Sequence, residues 1–197
     1  MALATLNNSI DEGDGVSHDV SNEVDAAPSA WPDTIFAHFQ RAGIRQVGYV
    51  PDAGHTRLIQ RCIDDPQIAD VVLTTEEEGV GLVVGAALGA QRSALLMQSS
   101  GVGNCVNMFS IIRGFGVPCL VLVTMRGEFA EFNPWQVPMG SITQSVMESC
   151  GFLTYRVDSA DDVDAVVGAA CDMAFNGNLS VAVLLSQRLI GRKQWVK

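Results

Sequence analysis

The sequence predicts a doubly wound α/β domain, a mostly parallel six-stranded sheet with helices on both faces. Two observations carry this. From residue 31 onward, short apolar runs of strand length alternate with longer helical stretches. In addition, 197 residues with 48% hydrophobic content are enough for one sizeable core and too few for two. Residues 31–197 are therefore expected to form a single domain. Residues 1–30 hold Asp11, Glu12, Asp14, Asp19, Glu23 and Asp25, with no Lys or Arg before Arg41 and little apolar periodicity. Such a segment reads as a disordered acidic tail.

The elements follow in order. Residues 32–41 read as a helix stopped by Gly43, 46–50 as a strand, 55–63 as a helix and 69–73 as a strand. Three glutamates open the next helix, 76–90, whose body is almost entirely Gly, Val, Leu and Ala; such a helix is expected to be buried. A strand over 93–98 leads into the glycine-rich turn Ser99-Ser100-Gly101-Val102-Gly103-Asn104 and a helix over 103–114. After the strand 119–124, a long loop over 126–138 breaks the alternation. A helix over 141–149, a strand over 152–157, a helix opened by Ser159 with Asp162 three residues on as a capping box, and a strand over 180–185 complete the chain. In open parallel sheets ligands bind beyond the carboxyl ends of the strands. The loops to inspect are therefore 51–55, 74–76, 99–104 and 125–138.

Composition narrows the function. A net charge of −10 and a pI near 4.5 argue against nucleic acid or an anionic membrane as partner, since both call for a basic face. The longest uncharged apolar stretch, 79–90, is too short and glycine-rich to span a bilayer, and the first residues lack the order of a signal peptide, so a cytoplasmic protein is expected. Five cysteines without a CxxC pair fit reduced core thiols better than disulfides or a metal site.

Several residues in these loops invite a chemical reading. Glu76, Glu77 and Glu78 either include a catalytic carboxylate or merely favour a helix start through its dipole. Gly81, Gly85 and Gly89 share one helix face, for a tight subunit interface or for packing on the domain's own sheet. Gln98, at a strand end, reads as a site residue, because a buried amide is costly unless hydrogen-bonded. In the first strand-end loop, Asp52 and His55 are candidates for substrate binding or proton transfer, with helix capping or a surface role as the alternative for His55. Arg126 suits an anionic substrate group, unless it pairs with Glu128 or Glu131. Gln136 closes the same loop.

Together the segments EEEGVG (76–81), MQSSGVGN (97–104) and MRGEFAEFNPWQVPMGSITQ (125–144) give the chain a family likeness. An acidic residue nine positions before a glycine, then a strand, then Ser-Gly-x-Gly-Asn resembles the pyrimidine-binding domain of thiamine-diphosphate-dependent decarboxylases. The three segments look most like the alpha subunit of sulfopyruvate decarboxylase, with phosphonopyruvate decarboxylase next, over roughly residues 31–190. The resemblance implies thiamine diphosphate as cofactor, with a protein carboxyl against N1′ of its aminopyrimidine. Sharing that proton favours the imino tautomer whose N4′ deprotonates the thiazolium. Counting back nine from Gly85 gives Glu76. Gln98, Gly101, Gly103 and Asn104 would lie beside the cofactor, with Asp52, His55, Arg126 and Gln136 toward the substrate. The family more often has a small hydroxyl residue near position 55, a departure that bears on the substrate roles.

The same resemblance implies a split enzyme. Magnesium and the diphosphate are held in this family by a GDG…N motif on another domain. Gly13-Asp14-Gly15 matches the first part, but no apolar strand precedes it and no Asn lies in the expected region near 40–43. A beta subunit carrying that motif is thus the expected partner, in a hetero-oligomer with at least two copies of each chain. The expected reaction is decarboxylation of an anionic 2-oxo acid such as 3-sulfopyruvate. A phosphonopyruvate-type decarboxylase or carboligase subunit is the alternative, as is a regulatory subunit that keeps the fold without the chemistry.

Overall fold

The computed structural model describes residues 31–192. The expectation for residues 1–30, including Gly13-Asp14-Gly15, lies outside them. The chain runs through α1 (Trp31–Arg41), β1 (Ile44–Tyr49), α2 (Thr56–Ile63), β2 (Ala69–Val72), α3 (Glu76–Leu88), β3 (Arg92–Gln98), α4 (Ser99–Cys105) and α5 (Phe109–Phe115). It continues with β4 (Cys119–Thr124), α6 (Val137–Ser149), β5 (Leu153–Val157), α7 (Val163–Phe175), β6 (Ser180–Leu185) and α8 (Gln187–Ile190). The six strands pair entirely in parallel, in the order β2-β1-β3-β4-β6-β5. The predicted fold class is borne out.

Strand periodicity divides the core. Leu96, Leu120, Leu122, Val181 and Val183 point to one face, where they pack with Ile35, Phe39, Leu58 and Val167 of α1, α2 and α7. Their neighbours Leu95, Met97, Val121, Val123 and Leu184 point to the other, against Val80, Val83, Val102, Phe109, Ile112 and Met147 of α3 to α6. Successive residues on a strand face opposite sides. A central strand sandwiched between helices is therefore apolar at every position, as β4 is.

Three departures from the predicted elements matter for the site. The glycine-rich segment 99–104 is not a turn: α4 begins at Ser99, directly after the extended Gln98. The helix expected over 103–114 breaks at residues 106–108, where the Asn107 carbonyl accepts from both the amide and the hydroxyl of Ser110. The loop expected to reach 138 is shorter, with a 3-10 turn at Pro134–Gln136 and α6 starting at Val137. Ser159 caps as expected, but through the amide of Asp161, and a 3-10 turn separates it from α7.

Glycines set two close approaches. A Cβ on Gly79 would sit 2.7 Å from Leu95 Cδ2, so this glycine lets α3 lie down on β3. One on Gly140 would sit 1.9 Å from the Arg126 carbonyl oxygen, so α6 starts hard against the end of β4.

Candidate active site

The sheet's winding reverses between β1 and β3: the chain steps outward from β1 to β2, then returns to β3 and proceeds the other way. A crevice opens beyond the carboxyl ends at such a reversal, because the two flanking loops lead to opposite faces. Asp52 follows β1, Glu76 follows β2, and Gln98 ends β3.

The three glutamates of α3 separate into distinct roles. Glu78 reaches back so that its Oε2 accepts from the Thr74 amide at 2.8 Å, closing the helix start that Thr75 leaves without a side-chain cap. Glu77 is exposed. Glu76 instead turns across to α4, where its Oε2 accepts from Asn104 Nδ2 at 2.9 Å. Its carboxyl group fills the space over Gly101, where a Cβ would come within 2.4 Å of Oε1. Gly101 and Asn104 thus serve Glu76 together, and among the described residues Oε1 accepts no hydrogen bond. Gly103, on the exposed side of α4, faces Met139 of α6, whose sulfur would lie 3.2 Å from a Cβ there. The Gly-x-Gly pattern is used for close approach to a carboxylate and a thioether, not to form a loop.

Asp52 ties three strand ends together. Its carboxylate accepts from Gln98 Nε2 at 2.9 Å, from the hydroxyl of Thr124 and from the Gly54 amide at 3.2 Å. Gln98 in turn accepts from the Ser100 hydroxyl. A side chain on Gly54 would press within 2.8 Å of Thr124, so the loop closes over β4 only with glycine there.

His55 does not lie where a substrate group must lie. It is fully buried beneath the loop, and its Nε2 donates to the Leu122 carbonyl at 3.2 Å while Nδ1 has no partner. Burial pushes its pKa below the ordinary value, against the smaller opposing effect of Asp52. The catalytic and substrate roles expected for His55 are corrected on this ground, since a sealed ring cannot exchange protons with a substrate.

Arg126 is also withdrawn from solvent. It makes a two-pronged contact with Glu131, Nε to Oε2 at 2.6 Å and Nη2 to Oε1 at 2.7 Å, and the two side chains are 9% and 3% exposed. Glu131 accepts further from the amides of Gly127 and Asn133 and from Gln187 Nε2. The Arg126 guanidinium and these amides hold its pKa at about 2 despite burial. Of the two roles open to Arg126, the geometry supports the pair. Gln136 has its Oε1 buried without a partner, an acceptor left open at the end of the same loop. Beside this loop, Asp52, Gly54, Thr124, Arg126, Gln187, Ile190 and Gly191 line a small cavity. A roomier cleft of about 550 Å³ lies at the opposite, amino edge, but its Arg45 and Arg61 bond to Gln67 and Asp33.

Sequence reading missed Thr124, Gln187 and the role of Ser99, while Glu131 was one of the two carboxylates it offered to Arg126. Thr124 carried the signal that singled out Gln98, a polar side chain at the end of an apolar strand, and Gln187 lies two residues past another such strand. Ser99, whose buried hydroxyl accepts from the Arg126 amide at 3.1 Å, gave none.

No family model matches the chain. Individual proteins do. It is 31% identical to the sulfopyruvate decarboxylase subunit alpha of Methanocaldococcus jannaschii, over 76% of this chain and 89% of that one. With the same subunit of Methanothermobacter thermautotrophicus the identity is 32%, over 78% and 93%. The chain belongs to the sulfopyruvate decarboxylase alpha-subunit family. Membership makes it a decarboxylase subunit. The phosphonopyruvate decarboxylase of Streptomyces viridochromogenes is 29% identical, with this chain spanning only 38% of its length. Among solved structures, 2-oxoglutarate:ferredoxin oxidoreductase from Magnetococcus marinus superposes with a TM-score of 0.63 at 14% identity, over 84% of this chain and 33% of that one. That likeness concerns the fold alone. No helix among the described residues is long and apolar enough to cross a membrane.

Proposed function

We propose that this alpha-family chain is the pyrimidine-binding subunit of a two-subunit, thiamine-diphosphate-dependent decarboxylase acting on 3-sulfopyruvate. The observation that carries the reading is Glu76. One of its carboxylate oxygens is held by Asn104, the other is open, and Gly101 leaves room for the group at the carboxyl edge of the sheet. A carboxyl group so placed fits a ring nitrogen that must share a proton. Thiamine diphosphate, when bound, supplies the electron sink that decarboxylation of a 2-oxo acid requires. Glu76 holds the proton at pyrimidine N1′, and Asn104 fixes the orientation of its carboxyl group. Asp52, with three donors already on its carboxylate, holds the strand ends together beside this group, and Gln136 is assigned to the substrate side of the same edge. Gln98, bonded to Asp52, and Gly103, on α4 beside Asn104, are assigned to the cofactor side. The diphosphate and Mg²⁺ fall to a partner subunit with the GDG…N motif, in a hetero-oligomer.

The test is the complex purified with its partner and assayed for carbon dioxide release on a set of 2-oxo acids. Wild type is expected to favour 3-sulfopyruvate. Glu76→Gln keeps size and polarity but cannot exchange the proton, and a lost acid or base group lowers rates by about 10² to 10⁴. Glu77→Gln, on an exposed side chain, should stay near wild type. An active Glu76→Gln complex would remove the assignment, and a complex without turnover on any 2-oxo acid would favour the regulatory reading.

A further inference from the structure

A substrate with a second anionic group needs a cation that is not already neutralised, and the obvious one, Arg126, does not qualify. Glu131 cancels its charge at every pH above about 2, and both groups are closed off from solvent. Other arginines at the carboxyl edge are paired as well: Arg57 with Asp33, and Arg156 with Glu128 and Asp158.

Arg188 differs. It sits on α8, beside Gln187, and Gln187, Ile190 and Gly191 line the cavity together with Asp52, Thr124 and Arg126. The side chain is exposed and makes no ion pair among the described residues. Its guanidinium carbon lies 4.8 Å over the centre of the Phe129 ring. Stacking of this kind employs the face of the guanidinium plane and leaves the N–H donors at its edge, which match a sulfonate or carboxylate in two-pronged fashion. The backbone that carries the ring is itself held, because Gln187 Oε1 accepts from the amides of both Glu128 and Phe129 at 2.9 Å. Arg192 is exposed too, yet no contact among the described residues holds its side chain, so it would lose more rotamer freedom on binding.

We infer that Arg188, stacked on Phe129, is the specificity-determining residue that reads the anionic group of the 2-oxo acid distal to the reacting carbon. This rests on the substrate class proposed above and names the contact that would select it.

The experiment uses the complex with its partner. Sulfoacetate, a small sulfonate that undergoes no decarboxylation, is titrated calorimetrically into wild type, Arg188→Gln and Arg188→Lys. In parallel, kinetics are measured on 3-sulfopyruvate and on pyruvate, which lacks the second anion. A charge-assisted contact corresponds to about a ten- to hundredfold effect. Arg188→Gln should weaken sulfoacetate binding and raise KM for 3-sulfopyruvate by that factor, with kcat within about twofold and pyruvate turnover unaltered. Arg188→Lys should fall between, since it keeps the charge but not the planar fork. The inference is overturned if wild type binds no sulfoacetate, if Arg188→Gln binds it as wild type does, or if that variant loses activity equally on both substrates. Should no 2-oxo acid be turned over while sulfoacetate binding still depends on Arg188, the proposed decarboxylation fails and the anion site stands.

Discussion

His55 shows how far a single residue's depth can overturn its sequence context. A histidine in a strand-end loop reads as a proton-transfer group, yet this one is inside the core, donating to Leu122 and carrying an unpartnered nitrogen. With its pKa lowered in the folded state, the unfolded chain takes up the proton first as pH falls through the ordinary value of 6.5. The stability His55 contributes is therefore complete above pH 6.5 and declines below it, by about 1.4 kcal/mol per pH unit once the unfolded group is protonated. Urea melts of wild type and His55→Leu at pH 7.5 and 5 should show this as a difference between the two proteins that shifts against wild type in acid. A difference independent of pH would mean that the ring is protonated in the folded state as well.

At the level of elements, the segment between β4 and α6 is held by one buried network. Arg126, Glu131 and Gln187 join it to β4 and α8, and Gly127 and Gly140 allow its backbone to pass where no side chain fits. The carboxyl pKa of Glu131 falls from 4.5 to about 2 on folding. Its contribution is thus present above about pH 4.5 and is lost as pH falls toward 2. A shift of that size corresponds to roughly 3 kcal/mol at neutral pH. Glu131→Gln should show a loss of that order at pH 7, increased by the unpaired Arg126, and the gap to wild type should narrow by pH 3. The sequence signalled this loop by its length and by an arginine with two carboxylates, and it left open which carboxylate would take the arginine. Only the path imposed by the two glycines brings Glu131 and not Glu128 to Arg126.

Across the whole molecule, α3 has two glycine faces with opposite duties. Gly79 packs against Leu95, whereas nothing lies within 4 Å of a Cβ on Gly81 or Gly85. Helix-on-sheet packing inside the domain therefore does not explain Gly81 or Gly85. Exposed Leu88, Val106 and Ile142 accompany them on α3, after α4 and on α6. We propose this as the surface that meets a neighbouring subunit. Gly85→Leu should then leave the melting temperature of the isolated chain unchanged or raise it, because glycine costs up to about 1 kcal/mol in a helix, while size-exclusion chromatography shows assembly lost. Gly79→Ala should do the reverse and lower the melting temperature of the chain itself. Assembly that survives Gly85→Leu would place the interface elsewhere.

The sequence by itself determined the number of strands, their succession along the chain and their parallel pairing, because these depend on apolar periodicity and on spacing along the chain; the family resemblance, not periodicity, points to Glu76. It could not determine which polar side chains meet. The Asp52–Gln98–Thr124 junction, the pairing of Glu76 with Asn104 and the burial of His55 join residues that are 28 to 72 positions apart or bury one that local pattern leaves ambiguous. Those choices belong to the tertiary structure. A strand's composition fixes that its end emerges at the carboxyl edge, but the packing of neighbouring loops decides whether a polar group there faces a ligand, a partner or the core.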